Sequence, residues 1–171
     1  MFPRRSLLAA ALLGVAAASP TWAQNAADWK PSKPVRIMVP IVGSTNDVLA
    51  RLVAPKLQEV FGQPFVVENK GGAGGTIGSL DVVKSAPDGH NLLVGYNGPL
   101  AINVTLLSKM PYDPVKDLAP ITLAVKAPQY LVVNPATGIT NVKDFIANAK
   151  SNPEKLNYGS VSVGSASHLT M

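Results

Sequence analysis

The sequence predicts an α/β protein, an open and mostly parallel sheet with flanking helices. Three observations point there. Short apolar, β-branched runs recur at 35–40, 65–69 and 92–96. The stretches between them, 48–61 and 76–86, set their apolar residues at helical spacing. The third run, Leu92-Leu93-Val94-Gly95-Tyr96, is apolar without alternation, as expected of a strand covered on both faces. Strand, helix, strand, helix, strand in this order is the pattern of right-handed βαβ units.

The first residues stand apart from the fold. Arg4 and Arg5 form a positive region, Leu7 to Ala18 is an unbroken small and apolar run, and Thr21-Trp22-Ala23 places small residues at −3 and −1 of a cleavage point. That predicts a secretory signal peptide over 1–23 and export from the cytoplasm. Its apolar run falls short of the ~20 residues that span a bilayer, so no membrane insertion is expected once the leader is removed.

Val35-Arg36-Ile37-Met38-Val39-Pro40 reads as a strand closed by proline. Gly43-Ser44-Thr45-Asn46-Asp47 then supplies the residue types that cap helices, and a helix is expected over 48–61 with Gly62 as its stop. Pro55 inside it predicts a kink or two shorter helices. Phe65–Asn69 is the second strand, and a glycine-rich stretch at 71–75 leads into the helix at 76–86. Pro87-Asp88-Gly89 is a turn before the third strand. Further strands are expected at 121–125, 130–134 and 156–160, and a helix at 142–149 capped by Thr140 or Asn141. Residues 162–168 read as a loop running into a helix that is begun rather than finished.

Composition narrows the function. The 171 residues include no cysteine, which rules out a thiol nucleophile, a thiol redox pair and thiolate zinc, and leaves the core to hold an exported fold. Without Arg4 and Arg5, 13 basic residues stand against 10 acidic ones, scattered singly. Nucleic acid is therefore not an expected partner, while a mild positive bias suits small anions.

The glycines at 71–78 sit between a strand and a helix, where free N–H groups and the helix dipole favour an anion. Their spacing does not fit a dinucleotide fingerprint, because the third glycine of G-x-G-x-x-G falls on Ile77. Lys70 also precedes the glycines instead of following them, so there is no P-loop and no nucleotide cofactor is expected. A plain tight turn remains open for the stretch taken alone. Two sister junctions, 43–47 and 162–168, carry the same small and polar residues. Three such loops at the carboxyl ends of strands can turn N–H groups and hydroxyls onto one carboxylate. Tyr96 and Asn97, at the end of the third strand, either face that crevice or pack the strand end.

Catalysis has weaker support. Ser160-Val161-Ser162-Val163-Gly164 approaches the G-x-S-x-G elbow of exported α/β hydrolases but lacks its first glycine, and only His168 follows as a base. His90 and His168 lie far apart without ligand spacing, so no metal is expected and His90 reads as a surface or capping residue.

These residues together resemble a known family. Pro31-Ser32-Lys33-Pro34-Val35-Arg36-Ile37, Asp47-Val48-Leu49-Ala50-Arg51, Gly62-Gln63-Pro64-Phe65-Val66-Val67-Glu68-Asn69, Gly72-Ala73-Gly74-Gly75, Ala86-Pro87-Asp88-Gly89, Pro111-Tyr112-Asp113-Pro114-Val115-Lys116-Asp117-Leu118 and Leu156-Asn157-Tyr158-Gly159-Ser160 are similar, in order, to the Bug/TctC family of periplasmic solute receptors. The resemblance implies a type II periplasmic-binding, Venus-flytrap fold with a ligand cleft between two domains. The first domain would span 24–126, and 127–171 would begin a second domain that is incomplete. It implies no catalysis and no cofactor, a small carboxylate ligand, and the membrane subunits of a tripartite tricarboxylate transporter as partners. Carried over by position, Gly43, Ser44, Thr45, Asn46, Asp47, Gly74 and Gly75 form the first wall, with Tyr96 and Asn97 nearby. Ser162, Gly164, Ser165, Ser167 and His168 form the second. One departure stands out: Ile41-Val42-Gly43-Ser44-Thr45 replaces the family's proline and paired glycines, so backbone approach to a ligand is more restricted there and hydroxyls are added.

Overall fold

The computed structural model describes residues 29–171, and Pro31–Met171 make up one unit of it. The signal peptide expected at 1–23 lies outside the described residues. At the centre is β1 (Val35–Val39), paired in parallel with β2 (Phe65–Asn69) on one side and β3 (Asn91–Leu93) on the other. The register sets Ile37 opposite both Val67 and Leu92.

Alternation along β1 decides what covers each face. Val35, Ile37 and Val39 point to one side and pack with Ala50, Ala54, Leu57 and Phe61 of helix α1 (Thr45–Phe61) and with Phe65. Each such aliphatic side chain, fully buried, stabilises the fold by ~1.5–3 kcal/mol. Arg36 and Met38 point to the other side, toward helix α2 (Thr76–Val83). Met38 is buried, while Arg36 fastens α2 to the sheet by donating to Asp81 Oδ1 at 3.3 Å and Ser85 Oγ at 2.9 Å. Gly78 lets α2 approach this closely: a Cβ there would collide with the Lys70 carbonyl and lie 3.3 Å from Pro40 Cα.

Helix α1 starts where its sequence signals lie. Ser44 is the N-cap, its hydroxyl accepting from Asp47 N at 3.3 Å, and Gly62 closes the helix by donating to Gln58 O at 2.9 Å. Pro55 divides it into no separate helices; the 17 residues run as one element. A proline inside a helix forfeits one backbone bond and costs ~3 kcal/mol. Core residues on both sides of it, Ala50 and Ala54 before and Leu57 and Phe61 after, anchor the two halves on the same sheet face.

Beyond β3 a π-helical turn (Gly98–Ile102) runs into the short helix α3 (Asn103–Leu106), and Tyr112 is buried with its hydroxyl donating to Pro99 O at 2.9 Å. Helices α4 (Val142–Ser151), capped by Asn141, and α5 (Ala166–Leu169), capped by Ser165, follow as expected. The strands expected at 121–125, 130–134 and 156–160 are not formed. A strand exists through its ladder, and these segments pair with no other strand among the described residues; Tyr130 and Val132 are 82 % and 85 % exposed. No described helix is long and apolar enough to cross a membrane.

The turn before β3 is held by ionised Asp88. Its carboxylate accepts from His90 N at 3.0 Å and from Lys33 Nζ at 3.0 Å, and these contacts, the backbone N–H first, lower its pKa from the ordinary 3.8 to about 2. His90 is buried: its Nε2 accepts from Ser32 N at 3.2 Å, so Nδ1 donates to Asp88 O at 3.1 Å. A carboxylate whose folded pKa is depressed stabilises the fold above its unfolded pKa, and that contribution fades as pH falls toward the folded value. Asp88→Ala should therefore lower the urea midpoint most above pH 4, and the gap to the native protein should close near pH 2. A gap that stays constant with pH would show that the carboxylate charge is irrelevant.

Candidate functional site

The loops after the three strands leave the same end of the parallel sheet. Lys70 N donates to Val39 O at 3.2 Å and Val94 N to Met38 O at 3.0 Å, so the roots of the second and third loops are tied to the end of β1.

In the first loop, most polar groups are engaged locally. Ser44 Oγ donates to Ile41 O at 2.9 Å, and Asn46 Nδ2 reaches Gly95 O at 3.4 Å. Thr45 is exposed at the first turn of α1. Asp47 is 6 % exposed; its carboxylate accepts from Gly43 N at 2.9 Å, Asn69 Nδ2 at 3.0 Å and Arg51 Nε at 3.1 Å. The Gly43 N–H first, then the Asn69 amide, hold its pKa below the usual carboxylate range. Asp47 is thus ionised and occupied by its own loop and by the end of β2.

The second loop turns through a 3₁₀ segment (Ala73–Gly75) in which Gly74 has φ +60. Its carbonyl accepts from Tyr96 Oη at 2.8 Å and Asn103 Nδ2 at 3.2 Å. Gly74 can carry no side chain here, since a Cβ would lie 2.6 Å from Val163 O. That contact brings in residues 162–168. Expected as a strand-to-helix junction, this segment follows no strand, yet its backbone lies against the glycine loop: a Cβ on Gly98 would sit 3.2 Å from Gly164 O, and one on Gly164 would strike Asn103 Oδ1.

The structure therefore gathers Gly74, Gly75, Tyr96, Ser162 and Gly164 in one place. Gly43, Ser44, Thr45, Asn46 and Asp47 join through Asn46 and Asp47, and exposed Asn97 begins the turn at 98–102. Ser165 caps α5, accepting from His168 N at 3.3 Å; Ser167 Oγ accepts from Val161 N at 3.1 Å. Two polar atoms in this wall are buried without a hydrogen-bond partner, Ser162 Oγ and His168 Nδ1. Burial pushes the Tyr96 phenol up, and the Ser162 hydroxyl beside it opposes that shift without meeting hydrogen-bond geometry. Because Ser162 Oγ is unpartnered, it forms no nucleophile–base pair with His168. Among the described residues no three or more His, Cys, Asp or Glu are grouped to hold a metal.

Asn103, 2 % exposed, is the residue that the sequence pattern did not single out. It donates to both Gly74 O and Thr76 Oγ1 (3.1 Å) and lies against Gly164, so it touches both walls. Its signal was present: a single amide inside the apolar run 100–107, where a polar side chain must find partners. Arg51 and Asn69 were visible only as parts of motifs. A separate groove of about 690 Å³ between α1 and β2, lined by Ala54, Pro55, Phe65 and Val67 among others, contains none of the predicted site residues.

Comparison with known proteins shows the family and the fold. Residues 49–171 match the family model described as "Tripartite tricarboxylate transporter family receptor". The chain is 38 % identical over 145 residues to Protein BugT of Bordetella pertussis, covering 84 % of this chain and 44 % of BugT. Among solved structures, Rpa4515 of R. palustris with adipate is 38 % identical with a TM-score of 0.78, over 84 % of this chain and 48 % of that one. A second, a periplasmic transporter, is 36 % identical with a TM-score of 0.71, over 81 % and 47 %. The fold is that of periplasmic binding proteins, a parallel sheet with flanking helices, and the chain spans about half the length of the relatives it matches.

Asn103→Ala should cost ~1–3 kcal/mol, because it strips the donor from the buried Thr76 hydroxyl and one of the two donors from the half-buried Gly74 carbonyl. Asn103→Asp, the same shape with an acceptor facing the Gly74 carbonyl, should cost more. Urea denaturation of both variants checks this; native-like midpoints would mean that the amide does not hold the loop.

Proposed function

Because the chain belongs to the Bug/TctC family of tripartite tricarboxylate transporter receptors, we propose that the protein of which it forms at least part is a periplasmic receptor for a small carboxylate. The ligand would be held between the walls at 43–47, 74–75 and 96 and at 162–168, and delivered to the membrane subunits of such a transporter. In this reading residues 24–126 belong to the first domain, 127–171 open the second, and 1–23 direct export. The likeness to Rpa4515, solved with adipate, favours a dicarboxylate.

One observation carries the proposal. Ser162 Oγ and His168 Nδ1 are closed off from water without partners, in the segment packed against the glycine loop. A buried unpaired polar atom costs ~1–3 kcal/mol, a cost that a bound ligand oxygen would relieve. Tyr96 keeps its proton at neutral pH, since burial raises its pKa, and spends it on Gly74 O, which sets the glycine loop beside Ser162. In this reading the Ser162 hydroxyl is the donor left for a ligand carboxylate.

Calorimetric titration of the whole protein, both domains included, with adipate, succinate, malate and citrate should give saturable binding of at least one at micromolar concentration; no binding of any at millimolar concentration would sink the reading. Ser162→Ala separates a ligand contact from a structural one. It removes an atom with no partner, so thermal stability without ligand should be unchanged or slightly higher, while affinity should fall ~5–10-fold, about 1 kcal/mol. Unchanged affinity would remove Ser162 from the site.

A further inference from the structure

We propose that Asp47, Arg51 and Asn69 form a positioning ring that sets the first two binding loops as one body, so that Asp47, the one acid among the expected site residues, acts on the ligand through the backbone and never touches it. The inference rests on reading those loops as ligand walls.

Three hydrogen bonds close the ring. Asp47 Oδ1 accepts from Arg51 Nε at 3.1 Å and from Asn69 Nδ2 at 3.0 Å, while Arg51 Nη2 donates to Asn69 Oδ1 at 2.8 Å. Each member thus holds the other two. The second carboxylate oxygen, Oδ2, accepts from Gly43 N at 2.9 Å, reaching back across the Ser44 cap. The result is a capping box extended by one residue: Ser44 Oγ receives the Asp47 N–H, and the Asp47 side chain receives the N–H just before the cap.

The positions of the three residues give the ring its reach. Gly43 and Asp47 bracket the first loop, and Asn69 is the last residue of β2, directly before Lys70 and the glycines. Fixing Asn69 to α1 therefore fixes where the glycine loop departs. Arg51 is one turn along α1 from Asp47, so the helix itself is the third side. Asp47 is nearly buried, with two donors on Oδ1 and one on Oδ2. Its burial, and not a lack of lone pairs, keeps a ligand donor away, and a ligand carboxylate would meet a like charge.

Amide hydrogen exchange on the ligand-free protein tests the ring without requiring that any carboxylate bind. Gly43, Lys70 and Gly75 have hydrogen-bonded amides in the two loops, with Gly75 N donating to Gly72 O at 3.0 Å. In Asn69→Ala, which touches the first loop only through Asp47 and Arg51, exchange at Gly43 as well as at Lys70 and Gly75 should rise at least tenfold, with β1 amides unchanged. Asp47→Asn should do the same, and the double variant should be no faster than either single one. Gly43 unaffected in Asn69→Ala would overturn the ring, as would an equal rise along β1, which would signal ordinary destabilisation. A second arm reads adipate affinity by calorimetry: Asn69→Ala should weaken binding about tenfold, and undiminished affinity with disturbed loops would overturn the positioning role. If the native protein binds no carboxylate, the receptor reading fails and the exchange result still decides whether the loops move as one.

Discussion

Strand β1 is covered on all sides, and the rest of the structure follows from that. It has a parallel neighbour along each edge, α1 against Val35, Ile37 and Val39, and α2 against Met38 and Arg36. A parallel sheet permits no tight hairpin between neighbours, so each strand must exit at its carboxyl end and return through a helix. Three loops consequently share one end of the sheet. The glycine loop, the Tyr96 segment and the cap of α1 meet there because the central strand leaves the chain no other route.

How much of this the sequence disclosed depends on where the information lay. β1, β2 and α1 were legible because their burial is local: apolar periodicity, the Ser44 cap and the Gly62 stop are written within the elements themselves. The segments 121–125 and 130–134 carry equally good β-branched composition, yet form no ladder among the described residues. Composition reports that a segment fits a pleated surface; it does not supply the neighbour that makes a strand. The site divides in the same way. Gly74 and Ser162 stood out as small and polar residues at junctions and Tyr96 only as one of two readings of a strand end, whereas Asn103 and Asn69 act across separations of 29 and 22 residues, to Gly74 and Asp47, that no local pattern reports.

The charged side chains near the loops are engaged in holding the fold. Arg36 and Lys70 both reach Asp81, and Arg51 is committed to Asp47 and Asn69. Where the glycine loop meets 162–168 lie a phenol, a serine hydroxyl, an imidazole and the Gly74 carbonyl, with no lysine, arginine or carboxylate among them. A cluster without lysine or arginine avoids the desolvation cost of a buried cation. In the proposed receptor it would select by geometry, since a hydroxyl must be placed to within hydrogen-bond distance before it favours an anion at all.

That requirement explains the composition of the run from Gly71 to Gly78. Its glycines do different things. Gly74 accepts two donors at its carbonyl while leaving room for Val163, Gly75 lies so close to Tyr96 that a Cβ would sit 2.7 Å from its hydroxyl, and Gly78 lets α2 settle on Lys70 and Pro40. A nucleotide fingerprint also asks one glycine to pack a helix on a strand, but at a different spacing. The late position of Gly78 therefore has a cause. The 3₁₀ turn at 73–75 inserts its residues between the strand and the first turn of α2, and the glycine needed for helix–strand contact moves along with the helix.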